Sequence, residues 1–567
     1  MDIKYIFLGF IILIIIAVFT FIRKFKNARK IKREIIERWG KEPKEQYNTE
    51  VMKSLSGFFR NIQNLNPGIH FIDDISWNDL DMDKIFMRLN NTQSTVGEEY
   101  LYYLLRRPLF EEKELKERER LISFFQQNTE QRIKLQYILA GLGKRKFISI
   151  TDYFYCDEKM VTVNGKLYKV LAISLILSPL ILIVNPYIGL FSILGLLFTN
   201  MTVYYKAKNE ISMHLESLSY LVNMINCARR ICGTGIDEIK EYIGILHASY
   251  KKIKSVSVKS FYNLFYTTQD PFLEYIKVVF LGELIAFESL LKAIYKHRTE
   301  LMQIHECIGL IDSLISIASY RESINFYTVP QLYKCSGASP KQLEFDEIYH
   351  PLIKNPVTNS AKLDKPVLVT GSNASGKSTF LKTVAINAIF SQTIHTCLAK
   401  SYHSCYFMIF TSMALKDNIE NNESYYIVEI KSLKRILDNI NNTVPCLCII
   451  DEVLRGTNTV ERIAASSEVL CHLSKSNCLC IAATHDIELT SILKHYFDNY
   501  HFQESFSGNE IVFDYKLYPG KSSTRNAIKL LKIMGYNDEI VNNAEERALK
   551  FIDSGAWSEI GLTAGTG

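Results

Sequence analysis

The hydrophobic and polar positions divide the chain into stretches of three kinds. Tyr5 to Ile22 is eighteen residues without a charge, long enough for a helix to cross a bilayer, and Arg23, Lys24, Lys26, Arg29, Lys30, Lys32 and Arg33 follow at once. That asymmetry predicts an uncleaved anchor with the amino terminus outside and the remainder in the cytoplasm. A cleaved signal peptide would carry its positive charges ahead of the apolar run and a small-residue cleavage site behind it; here the charges follow the run and no such site appears. The basic cluster suits anionic lipid beside the membrane, with nucleic acid as the alternative. From Trp77 to about Lys146, and again from 209 to 330, apolar residues recur at helical spacing. Between these lies Val170 to Tyr205, thirty-six residues with no ionisable group except tyrosine, interrupted at Pro179 and at Asn185-Pro186 and flanked by Lys166, Lys169, Lys206 and Lys208. Two short spans joined at Asn185-Pro186, with both ends cytoplasmic, fit this pattern. A re-entrant or buried helical hairpin is the alternative, since the first span has only about 15 to 18 apolar residues.

Farther on the pattern changes to short apolar runs. Val367 to Thr370, Cys446 to Ile450 and Cys480 to Thr484 each read as a buried strand that ends in polar residues. A parallel sheet is built from such strands, and it binds ligands at their carboxyl ends. Between the first strand and the helical spacing that begins at Phe380 stands Gly371-Ser372-Asn373-Ala374-Ser375-Gly376-Lys377-Ser378, followed by Thr379, which fits G-x-x-x-x-G-K-[ST]. Glycines at both ends let such a loop turn its N–H groups around a phosphate, and the following helix adds its positive end. Lys377 is then expected to reach the β- and γ-phosphates of ATP, and the Ser378 hydroxyl to ligate Mg²⁺. Asp451 and Glu452, at the end of the second strand, stand where a P-loop ATPase places its Mg²⁺-side aspartate and the carboxylate that orients the attacking water. The third strand delivers His485, expected to sense the γ-phosphate.

These residues resemble the ATPase module of the MutS family. That family's loop reads G-P-N-M-G-G-K-S, matched by Gly371, Asn373, Gly376, Lys377 and Ser378. Its S-T-F-M-V-E-M segment is echoed by Ser424 to Ile430, its D-E-L-G-R-G-T-S by Asp451 to Asn458, and its A-T-H by Ala483 to His485. Its closing Y-K-L-x-x-G has a counterpart in Tyr515 to Gly520, followed by Asn526-Ala527-Ile528. Ser375 and Leu454 stand where the family has glycine. Weaker similarity extends to Ser94–Pro108 with Leu115–Arg118, to Ile308–Leu332 including Asp312, and to Glu347–Pro351. The resemblance implies a P-loop, ABC-like α/β ATPase domain (MutS domain V) preceded by an all-α core and lever region, here with transmembrane helices. It also implies hydrolysis of ATP with Mg²⁺ in a homodimer, Ser424 facing the partner's γ-phosphate, and duplex DNA as a partner in mismatch repair. Mismatch-binding members begin with a globular domain carrying a G-x-F-[YF]-E wedge; this chain has an apolar helix in that place, and no nuclease tail follows the ATPase module.

The expected order is an anchor with its basic segment (1–34), a helical core-like region (35–165), a transmembrane hairpin (166–206), a helical lever region (207–335), the ATPase domain (336–555) and a tail (556–567). Composition adds little: hydrophobic content of 47% agrees with membrane segments, and a net charge of +6 is modest for 567 residues. Twelve cysteines are scattered, and the pairs Cys446/Cys448 and Cys478/Cys480 alternate along strands, which favours buried reduced thiols over a metal site. Lys251, Lys252, Lys254 and Lys259 form one local patch, read as a solvated helix face. No internal repeat is found. Two functions fit: a multi-pass membrane ATPase whose cytoplasmic helices hold DNA, or an ATP-driven module that remodels a membrane or a partner protein. Salt-dependent binding to duplex DNA separates them.

Overall fold

The computed structural model describes residues 3–146, 150–155, 164–253, 271–335, 341–372, 375–413, 425–455, 457–507, 510–521 and 527–557. Asn373, Ala374, Ser424, Lys254, Lys259 and Asn526 lie outside the described residues. The chain divides into two compact units, one of residues 1–71, 83–107 and 113–325, the other of 72–82, 108–112 and 326–567.

The first unit is helical. Helix α1 (Ile3–Arg38) carries the amino-terminal apolar run and the basic cluster in one continuous piece. Its carboxyl end docks beside the helix Thr129–Ala140, where Trp39 lies under the Arg132 guanidinium at 3.5 Å. Helix α2 (Thr95–Arg106) starts where the Ser94 hydroxyl accepts the Gly97 N–H at 3.1 Å, and it stops just before Pro108.

Helix α3 (Gly165–Leu177), a 3₁₀ turn at Ser178–Leu180 and the short helix Ile181–Val184 lead to Asn185, and helix α4 (Pro186–Cys232) returns. The reversal has a local cause. Proline fits the first turn of a helix, and the Asn185 side chain accepts the N–H groups of Tyr187 and Ile188. A Cβ on Gly189 would lie 2.7 Å from Leu182, so only glycine lets the two legs approach this closely. The hairpin leaves large apolar side chains uncovered, with Ile183 81%, Val184 87%, Phe191 73% and Phe198 72% exposed. Toward its base the charges are paired: Lys208 lies 3.5 Å from Glu283 and Lys169 3.7 Å from Glu288, both acids on helix α5 (Gly282–Lys296). Helix α4 continues through residue 206 without a break, so the expected hairpin–lever boundary falls inside one 47-residue helix.

Helix α6 (Arg298–Glu322) packs on α2 and is the spine of this unit. The Asp312 carboxylate accepts the N–H groups of Gln93 and Ser94 and the Ser94 hydroxyl, which joins two of the stretches singled out by sequence. Among the described residues three segments are long and apolar enough to cross a membrane: Gly165–Val184, Pro186–Ser212 and Arg298–Glu322. The last is mostly buried inside its own unit, as a core helix is.

The second unit is built on two sheets. Strands β1 (Gln331–Tyr333), β2 (Leu343–Ile348), β3 (Asn359–Leu363) and β5 (Ser401–Cys405) form a four-stranded sheet in the order β1-β5-β2-β3. Strands β4 (Val367–Thr370), β6 (Met408–Ser412), β7 (Cys446–Asp451), β8 (Cys478–Ala483), β9 (Asp498–Ser507) and β10 (Glu510–Pro519) form a six-stranded sheet in the order β10-β9-β4-β8-β7-β6. All neighbours in it are parallel except β9 with β10. Strands β4, β7 and β8 are buried at every position, which is why they read as apolar runs rather than as an alternation. Cys446 and Cys448 lie opposite Cys478 and Cys480 in register, free and buried in the core that faces helices α8 (Tyr425–Asn439) and α9 (Thr459–Lys475).

The open edge of β6 is closed by an early piece of chain. In the short helix Asp74–Asp79 the Ser76 hydroxyl accepts the Thr411 N–H at 3.1 Å, and Asp79 accepts the Met413 N–H at 3.0 Å and the Thr411 hydroxyl at 2.6 Å. Arg435 of α8 holds Asp73 at 2.9 Å. An exposed strand edge is a site for unwanted pairing, and these side chains occupy it.

Candidate active site

Strand β4 ends at Thr370, and helix α7 (Lys377–Thr393) begins six residues after Gly371. Gly376, the residue before α7, has φ +104°, a conformation that strains any residue with a side chain, and a Cβ there would lie 3.1 Å from the Tyr515 ring. The Lys377 ammonium turns back into the loop and donates to the carbonyls of Gly371 at 2.8 Å and Ser372 at 2.7 Å. Burial pushes its pKa down to about 8, against the attraction of Glu452 and Asp451. Ser372 donates to Glu504 at 2.8 Å. The Ser375 hydroxyl is buried and has no hydrogen-bond partner among the described residues, whereas Ser378 and Thr379 are exposed on the first turn of α7.

Register brings the other groups to the same edge. Asp451 of β7 lies opposite Ala483 of β8, which lies opposite Val369 of β4. One step farther, the Glu452 N–H bonds the Ala483 carbonyl and the Thr484 N–H bonds the Val369 carbonyl, each at 3.0 Å. Asp451 is buried, and its Oδ1 has no hydrogen-bond partner among the described residues. Glu452 has φ +63°, so the chain turns sharply here and points its carboxylate across the edge. That carboxylate is 3.0 Å from His485 Nε2 and in contact with the Arg455 guanidinium. Burial alone would raise its pKa; the hydrogen bonds from His485 and Arg455 and the Arg455 charge outweigh burial and hold it below the ordinary carboxylate range.

Glu429 of α8, the glutamate of the stretch that follows Ser424, accepts the Arg455 N–H at 3.3 Å. Two stretches far apart in sequence therefore meet at this edge. Arg455 and Glu429 are the side chains that sequence reasoning left without a role, and charge at the end of a buried strand is the signal that could have found Arg455. Beside the first turn of α7 lies a cavity of about 380 Å³ lined by Tyr349, His350, Thr379, Phe380, Phe502 and Tyr515 among others. Asn359 fixes the Tyr515 segment, donating to the Tyr515 carbonyl at 3.0 Å and accepting the Leu517 N–H at 2.8 Å. Burial, then the nearby Lys382 charge, pushes the His350 pKa down to about 4, so the ring facing this cavity is neutral.

The sheet edge thus gathers a glycine-flanked strand–loop–helix, a buried ammonium, a carboxylate oxygen without a hydrogen-bond partner among the described residues and an ionised glutamate paired with histidine. Residues 367–552, which span all of these described side chains, match the family model for MutS domain V. The chain is 30% identical over 270 residues to the DNA mismatch repair protein MutS of Thermotoga maritima, covering 46% of this chain and 33% of that protein. It is 29% identical over 277 residues to the MutS of Methanosarcina barkeri, covering 46% and 30%. To human MutS protein homolog 4 it is 30% identical over 277 residues, covering 46% and 28%. The chain therefore spans about a third of the length of these curated relatives. Residues 367–552 are thus a MutS domain V, matched across the whole sheet edge, and the chain is similar to MutS proteins over 46% of its length.

Proposed function

We propose that this chain is a membrane-anchored ATPase that binds ATP at the carboxyl edge of its six-stranded sheet and hydrolyses it as a dimer. The observation that carries the reading is the meeting of Lys377, Asp451, Glu452 and His485 on that edge. Loop residues 371–376, with Ser378 and Thr379 on the first helical turn, take the phosphates on their N–H groups and hydroxyls. Lys377 exchanges the carbonyls of Gly371 and Ser372 for the β- and γ-phosphates. The cavity at Tyr349, His350 and Tyr515 takes the nucleoside; its volume of about 380 Å³ falls among small-molecule sites, roughly 300–1,000 Å³.

The orphaned Asp451 Oδ1 and the exposed Ser378 fit a Mg²⁺ ion and would hold it; when bound it would neutralise phosphate charge. Glu452, kept ionised, accepts the proton of the attacking water, and His485 orients that carboxylate and senses the γ-phosphate. Ser424 of a second copy covers the open side of the γ-phosphate. On this reading the anchor at Tyr5–Ile22 and the hairpin at 170–205 cross the membrane and the domain faces the cytoplasm, supported by the basic residues that flank both. Lys377→Ala should abolish ATP binding by the detergent-purified chain; wild-type affinity in that variant contradicts the site.

Two cargoes are supported by different observations. The relatives' names speak of DNA mismatch repair, which supports duplex DNA as the partner. The exposed apolar hairpin supports a membrane or a membrane partner as what ATP drives. Binding to duplex DNA that falls steeply with salt favours the first, and its absence at low salt favours the second.

A further inference from the structure

Next to His485 stands an aspartate that does not do what an aspartate at its position ordinarily does. Asp486 is the residue before helix α10 (Ile487–Ile492), where an aspartate side chain usually accepts one of the helix's first N–H groups. Its carboxylate makes no such bond. Both oxygens instead take the Arg462 guanidinium, Oδ2 from Nε at 2.9 Å and Oδ1 from Nη2 at 2.7 Å. Arg462 belongs to the first turn of α9, whose start, capped by Asn458, closes the loop that carries Asp451, Glu452 and Arg455. The two-pronged bond therefore ties the loop after β7 to the loop after β8. These side chains are 24% and 15% exposed, sheltered enough that the pair is not an ordinary surface contact. A further bond, Asp486 N–H to the Thr484 hydroxyl at 3.0 Å, tightens the turn on either side of His485.

We propose that Arg462 and Asp486 are positioning residues for hydrolysis: by clamping the His485 turn to the Glu452 loop they keep His485 Nε2 on the Glu452 carboxylate. The inference rests on Glu452 being the base. Glu452 faces Asp451 and Arg455 of its own loop, His485 of the β8 loop, Arg462 of α9, Glu429 of α8 and Lys377 of α7. Of these, His485 is the partner whose place depends on the clamp.

The test compares the full chain in detergent with Arg462→Ala, Asp486→Asn, the double variant and Arg462→Lys, which keeps the charge but loses the two-pronged geometry. Each single neutral variant should lower kcat about tenfold and leave the affinity for a non-hydrolysable ATP analogue within about twofold. A loss confined to kcat, with analogue affinity kept, separates a positioning role from a general loosening of the site. The double variant should be no slower than either single one, as for groups acting as a unit, and Arg462→Lys should fall between. Unchanged kcat in both single variants, or a loss of analogue affinity as large as the loss in kcat, overturns the proposal. If Arg462→Ala does not fold, Asp486→Asn decides alone. A wild-type chain that binds ATP without turning it over removes the hydrolysis reading itself, whereas wild-type turnover with unaffected variants removes only the clamp.

Discussion

Raising the pH from about 7 to about 9 should weaken nucleotide binding roughly tenfold, and the cause is one buried amine. Without nucleotide, Lys377 has its pKa pushed down to about 8 by burial. Phosphate oxygens at the ammonium favour its charged form, so the pKa in the complex returns toward or above the ordinary lysine value of about 10.4. The sign follows: above pH 8 the free site is largely neutral, binding must take up a proton, and affinity falls as pH rises. The free-state factor of one plus ten to the power of pH minus pKa is about 1.1 at pH 7, 2 at pH 8 and 11 at pH 9. The loss is therefore about twofold over the first unit and about fivefold over the second. This window lies above the phosphate's own titration near pH 6. Equilibrium binding of a fluorescent, non-hydrolysable ATP analogue to the purified chain reads it directly. Lys377→Arg, whose guanidinium stays charged throughout, is the control and should bind with little pH dependence. Affinity constant within about twofold from pH 7 to pH 9, or an equally steep fall in Lys377→Arg, refutes the linkage.

Three further outcomes are expected. Leu454 sits at φ +59° where the family carries glycine, yet it is only 5% exposed and packs in the core cluster. Leu454→Gly relieves about 1–2 kcal/mol of left-handed strain but gives up about 2–5 kcal/mol of buried side chain. The melting temperature should therefore fall, and a rise would show that strain outweighs packing. Cysteine placed at Asn185 should be labelled from outside intact cells and one placed at Asn421 should not; labelling of neither or both contradicts the crossing hairpin. Mixing Lys377→Ala with Ser424→Ala chains should restore turnover through one intact composite site per mixed dimer, whereas normal turnover by Ser424→Ala alone removes the reason to propose a shared site.

What could be read from sequence was local. The loop between β4 and α7 announces itself because its glycines, lysine and serine fall within eight residues, and strands β7 and β8 do so because burial on both faces leaves five and six apolar or small residues in a row. Asn185-Pro186 marked the reversal of the hairpin, since its cause is a cap and a ring within three residues. Contacts between distant residues were not legible. Residues 72–82 and 108–112 belong to the unit that otherwise starts at 326, ten residues before the expected boundary at 336, and nothing in those short stretches says what they pack on. The four-stranded sheet was missed for a similar reason. Its strands are three to six residues long, carry partly exposed positions throughout, and are drawn from both sides of β4. The Arg455–Glu429 and Arg462–Asp486 contacts also escaped, because each joins residues 24 or 26 apart that only the register of parallel strands brings together.

The most direct measurement is ATP turnover by the purified full chain beside Glu452→Gln, with nucleotide affinity measured on the same samples. Glu452 is ionised, left-handed and held between His485 and Arg455 at the sheet edge, so removing its charge should slow turnover by about 10²-fold or more while ATP still binds. Turnover by Glu452→Gln within about twofold of wild type would contradict the assignment of this edge as the hydrolytic site.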